Sequence, residues 1–152
     1  MKDKYRVAII SDTHGLLREE VLDIIKKCDY IIHGGDIHKK EIRDRLEEIA
    51  PLFVVRGNND KGIWAEQLPK ELYFNIGNLN FYMVHNQNDL PNNLRNIDIV
   101  VFGHSHKYFY EKVENITFIN PGSCGPKRFN LPINFVIMTI ENNNYKIEKI
   151  EI

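Results

Sequence analysis

Three short apolar runs constrain this chain more than any other feature. Tyr5 to Ile10, Tyr30 to Ile32 and Leu52 to Val55 each read as a buried strand. Between them lie two stretches with apolar positions at helical spacing. Arg18 to Lys27 carries Val21, Leu22, Ile24 and Ile25 on one stripe. Lys39 to Ile49 carries Ile42, Leu46 and Ile49 on one side, and Pro51 stops it. The opening half is therefore β-α-β-α-β, an order that implies parallel strands and right-handed crossovers. In such sheets ligands collect outside the carboxyl ends of the strands.

Each run ends in polar residues. The first runs into Ser11-Asp12-Thr13-His14-Gly15, the second into His33-Gly34-Gly35-Asp36, the third into Gly57-Asn58-Asn59-Asp60. Further on, Leu72 to Ile76 and Leu79 to Val84 flank Gly77-Asn78, a hairpin signal of the type II′ kind, and the second strand ends at His85. Ile97 to Phe102 is another buried strand and ends in Gly103-His104-Ser105-His106. Tyr108 to Val113, Ile116 to Ile119, Phe135 to Ile140 and Tyr145 to Ile150 are short strands with Asn-rich or Pro/Gly-rich connections. The second half is expected to be mainly antiparallel β. Leu90 to Asn96 is expected to be a connector with one or two helical turns. Lys61 to Glu71, which holds Trp64, fits either a short helix or a loop over the site.

Length and composition narrow the function classes. A chain of 152 residues suits a single domain spanning 1–152. Hydrophobic residues are 43% and charged residues 27%, and the net charge is −1, so there is no basic footprint for nucleic acid and no polybasic membrane patch. Val7-Ala8-Ile9-Ile10 is too short for a signal segment, and no run reaches membrane-spanning length. Two cysteines, Cys28 and Cys124, make no disulfide framework, so the expectation is a cytoplasmic protein with reduced thiols. A homo-oligomer is compatible with these residues and is left open.

Five strand ends thus carry Asp12 and His14, Asp36, Asn58, His85, and His104 with His106. Taken singly, each has an ordinary reading. Asp36 after two glycines could cap a helix, Asn58 could be a turn residue, and His85 could be a packed core histidine. The joint placement favours chemistry. In an extended segment residues two apart share a side, so Asp12 with His14 and His104 with His106 would each present two ligands to one space. Four His, two Asp and one Asn, with no Cys, suit Mn²⁺, Fe, Zn²⁺, Co²⁺ or Ni²⁺ better than a thiolate zinc site or a calcium loop. Seven ligands exceed one ion's needs once water is counted and fit two ions sharing a carboxylate.

Asp12-x-His14, Gly35-Asp36, Gly57-Asn58-x-Asp60, His85 and Gly103-His104-x-His106 resemble, in order and type, the calcineurin-like metallophosphoesterase superfamily. The short chain is similar to its small YfcE-type phosphodiesterases, from Val7 to about Gly125, and Asn120-Pro121-Gly122-Ser123 looks like a further segment of that subgroup. The resemblance implies an α/β fold, a four-layer α/β/β/α sandwich of two mixed sheets flanked by helices. It implies that Asp12, His14 and His106 hold one metal, that Asn58, His85 and His104 hold the other, and that Asp36 bridges both. A hydroxide shared by the two ions would attack phosphorus, with Asn58, Asp36 and His85 at the reacting centre. Mn²⁺ is the ion expected to support activity in vitro, with Ni²⁺, Co²⁺, Zn²⁺ and Fe as alternatives. The substrate would be a small phosphoester, foremost a diester. A phosphomonoesterase, a nucleotide pyrophosphohydrolase and a non-catalytic scaffold like a retromer subunit are the other readings.

Two departures from the family stand out. Asn59 occupies a position where many members have a proton-donating His, and Asn86-Gln87 follows His85 where Gly-His is common. Four residues are expected to act from behind the ligands or to supply a proton. Asp60 would orient a neighbouring His ligand, and His33 would support the site or simply pack. His38 would be the remaining proton donor or a surface residue, and Asn59 stands in the acid's place.

Overall fold

The computed structural model describes residues 3–152. Strand β1 (Lys4–Ile10) pairs in parallel with β2 (Tyr30–His33), and β2 with β3 (Leu52–Val54). Helices α1 (Glu19–Ile25) and α2 (Lys40–Ile49) make the crossovers. Alternation along β1 sorts the two faces of this sheet. Ala8 and Ile10 pack with Ile31 against Val21, Leu22, Ile25 and Leu46 of the helices. Val7 and Ile9 pack with Ile32 in a different cluster, which joins this sheet to a second one.

The second sheet has the order β4-β5-β6-β8-β7, with β4 (Glu71–Ile76), β5 (Leu79–Val84), β6 (Ile99–Val101), β7 (Phe109–Val113) and β8 (Ile116–Asn120). The β4–β5 hairpin turns at Gly77, whose φ is +59°, a conformation that suits glycine. The centre of this sheet departs from the antiparallel expectation: β5, β6 and β8 run parallel. Residues 85–98 between β5 and β6 are long enough to bring the chain back to the start of the sheet, which a tight turn is not. Only the edges, β4 and β7, are antiparallel to their neighbours. Strands β9 (Asn134–Glu141) and β10 (Asn144–Glu151) join the first sheet instead, giving the order β10-β9-β1-β2-β3.

Phe81, Met83, Ile99, Val101 and Ile119 of the second sheet meet Val7, Ile9, Ile32, Val136 and Met138 of the first in the central core. The outer face of the second sheet, with Tyr82, Val84, Val100 and Phe102, is covered by Leu90, Leu94 and Ile97. The sandwich is α/β/β/α in order, with a thin last layer. Its one helical turn is a 3₁₀ helix at Gln87–Asp89, ahead of the Leu90 to Asn96 stretch where turns were expected. Pro91 explains the shift, because it disfavours helical geometry at Leu90, which is extended at ψ 133°. The Lys61 to Glu71 stretch contains a short helix, α3 (Ile63–Glu66). Trp64 anchors it against Ile37, Val54 and Leu68, under the Arg43 guanidinium. No helix among the described residues is long and apolar enough to cross a membrane.

Candidate metal centre

The parallel strands of both sheets end at one edge, and their loops meet there. Past β1 and β2 the ladder continues: Asp12 N–H donates to the Gly35 carbonyl (3.0 Å), His14 N–H to Asp36 (2.9 Å) and Gly15 N–H to Ile37 (2.8 Å). Asp12, His14, Asp36, His38, His104 and His106 all have positive φ, between 45° and 79°. The expectation that Asp12/His14 and His104/His106 converge through extended backbone is therefore corrected. Left-handed turns aim these side chains inward, at a strain of about 1–3 kcal/mol each that the surrounding bonds must offset. Gly103 shows how tightly the loops pack: a Cβ there would lie 2.1 Å from Ser11 Oγ and 2.6 Å from Asp12 Oδ2.

Two groups of donors result, Asp12 with His14 and His106, and Asp12 with Asp36 and His85. His14 Nε2 and His106 Nε2 are 3.2 Å apart. Asp12 Oδ1 is buried without a hydrogen bond, 3.5 Å from His106 Nε2 and 3.8 Å from His14 Nε2. His85 Nδ1 lies 2.7 Å from the Gly34 carbonyl, so that nitrogen carries a proton and donates. Its Nε2 faces Asn58 Oδ1 at 3.0 Å and Asp36 Oδ2 at 3.3 Å. His104 Nδ1 is 3.2 Å from the same Asn58 oxygen. Lone pairs crowded this way call for a proton or a cation between them. The donor set fits divalent cations.

The titration tendencies agree with that reading. Burial pushes Asp12 up to about 7, against the pull of His85 and the Ser11 hydroxyl (2.6 Å). Burial would also raise Asp36, but the hydrogen bond and charge of His85 and the two N–H groups of Asn59 hold it well below the carboxylate range. Burial lowers His85, yet Asp36 and Asp12 outweigh it and the net shift is upward. Burial, then the nearby His14 and Arg128, push His106 down to about 4; His14 is lowered chiefly by burial too. Neutral imidazoles are what a metal needs.

All seven candidate ligands come together here. The supporting residues behave less uniformly. Asp60 was expected to orient a histidine ligand. Its carboxylate instead accepts from backbone N–H groups, those of Asp36 (3.0 Å), Gly57 (2.8 Å) and His38 (2.8 Å), and so pins the loops together. Asn59 donates its backbone N–H (2.8 Å) and its amide (3.1 Å) to Asp36. His33 is fully buried, with Nδ1 accepting from Gly35 N–H and Nε2 donating to the Thr13 hydroxyl, both at 3.0 Å. His38 is exposed, its ring edge-on to His14 with centroids 5.5 Å apart. Sequence reasoning missed Ser11, Ser123 and Arg128. Ser123 Oγ donates to the Asp12 carbonyl (2.9 Å) from the Asn120-Pro121-Gly122-Ser123 stretch, the one signal that pointed to it. Asn120 in turn donates to the Gly103 carbonyl and Ser105 Oγ, both at 3.1 Å.

A profile described as the calcineurin-like phosphoesterase superfamily domain matches residues 5–143. The chain belongs to that superfamily. Among its phosphoesterase relatives, the probable metallophosphoesterase YsnB of Bacillus subtilis is 32% identical over 151 residues, covering 90% of this chain and 85% of its own. A phosphodiesterase of Methanocaldococcus jannaschii is 27% identical over 139 residues, 78% of this chain and 84% of its own. Of solved phosphoesterase-like structures, Yfce of E. coli superposes with a TM-score of 0.71 at 22% identity, over 95% of this chain and 98% of its own. Vacuolar Protein Sorting 29 of Cryptosporidium parvum gives 0.81 at 19% identity, over 99% of both chains. At those identities the likeness is one of fold.

Proposed function

We propose that this metallophosphoesterase-superfamily chain hydrolyses phosphodiesters with two divalent cations. One observation carries the diester reading: two open clefts border the donor cluster, one at Asn58 and His85 and the other at His104. One, of ≈ 710 Å³, is lined by Asn58, His85 and Asn86. The other, of ≈ 780 Å³, is lined by Asn86, Gly103 and His104. A diester carries two organic arms on its phosphorus, and a site bordered by two clefts has room for both. The M. jannaschii relative described as a phosphodiesterase supports the same reading.

Asp12, His14 and His106 would hold one cation, Asn58, His85 and His104 the other, and Asp36 both. Bound there, the pair supplies an activated water and offsets charge on the phosphoryl oxygens. The chain's own groups prepare the site. The Gly34 carbonyl sets the His85 tautomer, leaving Nε2 facing inward. Asn59 holds the Asp36 carboxylate in orientation and keeps it ionised. Asn58, with its oxygen turned to His85 and His104, has its amide nitrogen left for a phosphoryl oxygen. Asn59 cannot give up a proton, so leaving groups that are stable as anions, such as aryl oxides, are favoured. Among the described residues His38 is the imidazole left to relay one. Mn²⁺ is the first ion to try, then Ni²⁺, Co²⁺, Zn²⁺ and Fe. Two buried thiols without a disulfide suit the cytoplasm.

A protein-binding scaffold is the second reading, favoured by edge strand β7, where Phe109, Tyr110 and Val113 are exposed. The test is to chelate, dialyse and add back each ion, assaying an aryl diester and the matching monoester with metal content measured. Asp36→Asn should lose metal and about 10²-fold in rate. Full metal content and rate in that variant would overturn the bridging assignment. A monoester preference would overturn the diester reading, and turnover of neither ester with any ion would leave the scaffold.

A further inference from the structure

The cleft on the Asn58–His85 side is also lined by Arg56, Lys61 and Lys70. Like charges brought together repel, and such groups are normally relieved by carboxylates. Among the described residues, none of the three makes an ion pair within 4.0 Å. Their arrangement is nevertheless built. Arg56 N–H donates to the Pro69 carbonyl (2.8 Å), which ties the loop after β3 to the residue preceding Lys70. Arg56 Nε donates to the Asp60 carbonyl (3.1 Å), and the Asp60 side chain holds the backbone of Asp36 and Gly57. The guanidinium therefore rides on the loops that carry Asn58 and Asp36. Asp60, Glu71 and Asp89 line the same cleft, so three cations meet three carboxylates. Asp60 is 1% exposed and its carboxylate is taken up by the backbone N–H groups of Asp36, Gly57 and His38, which leaves Glu71 and Asp89 to face the cations. Glu71 is engaged by the Tyr82 hydroxyl at 2.6 Å.

We propose that this cleft is a second anion subsite, which seats a further phosphate carried on one ester arm of the substrate. The preferred substrates are then diesters in which one arm bears a remote phosphate, rather than neutral diesters. Arg56 offers a planar fork for phosphate oxygens, and the two lysines add point charge. The reading rests on phosphodiester hydrolysis at the adjacent centre, and the experiment separates the two. Thymidine 5′-(p-nitrophenyl phosphate) is compared with its 3′-phosphorylated analogue on the metal-loaded enzyme. The analogue should be favoured roughly tenfold in kcat/KM, through KM. The Lys61→Met/Lys70→Met variant should bring that ratio to about one, and Asp89→Asn should increase it. In parallel, pyrophosphate binding is measured calorimetrically on the full chain after chelation, with folding checked by circular dichroism, so that no metal mediates it. A ratio near one in the parent, or one unchanged in the double variant, overturns the subsite. So does pyrophosphate binding that is absent or indifferent to both lysines. Turnover of neither ester, with pyrophosphate binding that still requires the lysines, overturns hydrolysis and leaves the subsite standing.

Discussion

His33 never appears among the ligands, yet it sets a condition on the whole edge. Its ring accepts from Gly35 N–H and donates to Thr13, so it joins the loops after β1 and β2 only while neutral. Burial, reinforced by the charge of His85, pushes it down to about 3 from an ordinary 6.5. Between those values the unfolded chain binds a proton that the folded chain refuses, so stability falls as pH drops from 6.5 toward 3. At pH 5 the loss from this one ring is about 2 kcal/mol. Asp12, pushed up to about 7, works in the opposite direction, so the comparison must be differential. Urea unfolding of the metal-free parent and His33→Gln at pH 7 and pH 5 should show the parent losing more on acidification. An equal loss in both would mean that His33 carries no such linkage. The sequence showed a histidine at a strand end and left open whether it packs or supports the site. Only the through-space bonds reveal that it does both.

Loops and strands show where legibility stopped. The β-α-β-α-β half was readable because helical and strand periodicities are local and Pro51 marks a stop. The direction of the second sheet's central strands was not, because pairing depends on contacts between distant segments. Parallel β5 and β6 deliver His85 and His104 to the same edge; an antiparallel pair would have placed them at opposite ends. The glycine before Asn58 is equally a matter of elements meeting. A Cβ on Gly57 would lie 2.2 Å from Asp36 Oδ1 and 2.3 Å from its backbone N. Gly57→Ala should therefore push the loop after β3 away from the loop after β2. We expect a destabilisation of about 1–3 kcal/mol and a marked drop in bound metal. Thermal unfolding with metal analysis would check it, and parent-like values for both would show that these loops yield more than their packing suggests.

At the scale of the molecule, the centre acts as a clasp between two sheets. The cross-sheet contacts at this edge include His85 to Gly34, across 51 residues, and His104 N–H to Asp12, across 92. Cations bound there would add bonds between the sheets that the unfolded chain lacks. At a free-metal level about 100 times the Kd, one such site adds about 2.7 kcal/mol, and at this chain length each kcal/mol moves the midpoint by about 2–4 °C. Chelation should thus lower the Tm by several degrees or more, and re-addition should restore it. A Tm indifferent to chelation, in protein shown to have lost metal, would mean that the donors are not shared between sheets as described. The order of strands and helices in the first half, and the choice of the seven candidate donors, came from the sequence alone, since both lie in local spacing and residue type. Tertiary structure decided the rest: the parallel centre of the second sheet, the transfer of β9 and β10 to the first, the left-handed turns that aim Asp12 and His14, and the cleft that gathers Arg56, Lys61 and Lys70. Each of these depends on which distant surfaces bury one another, and no window of local sequence contains that information.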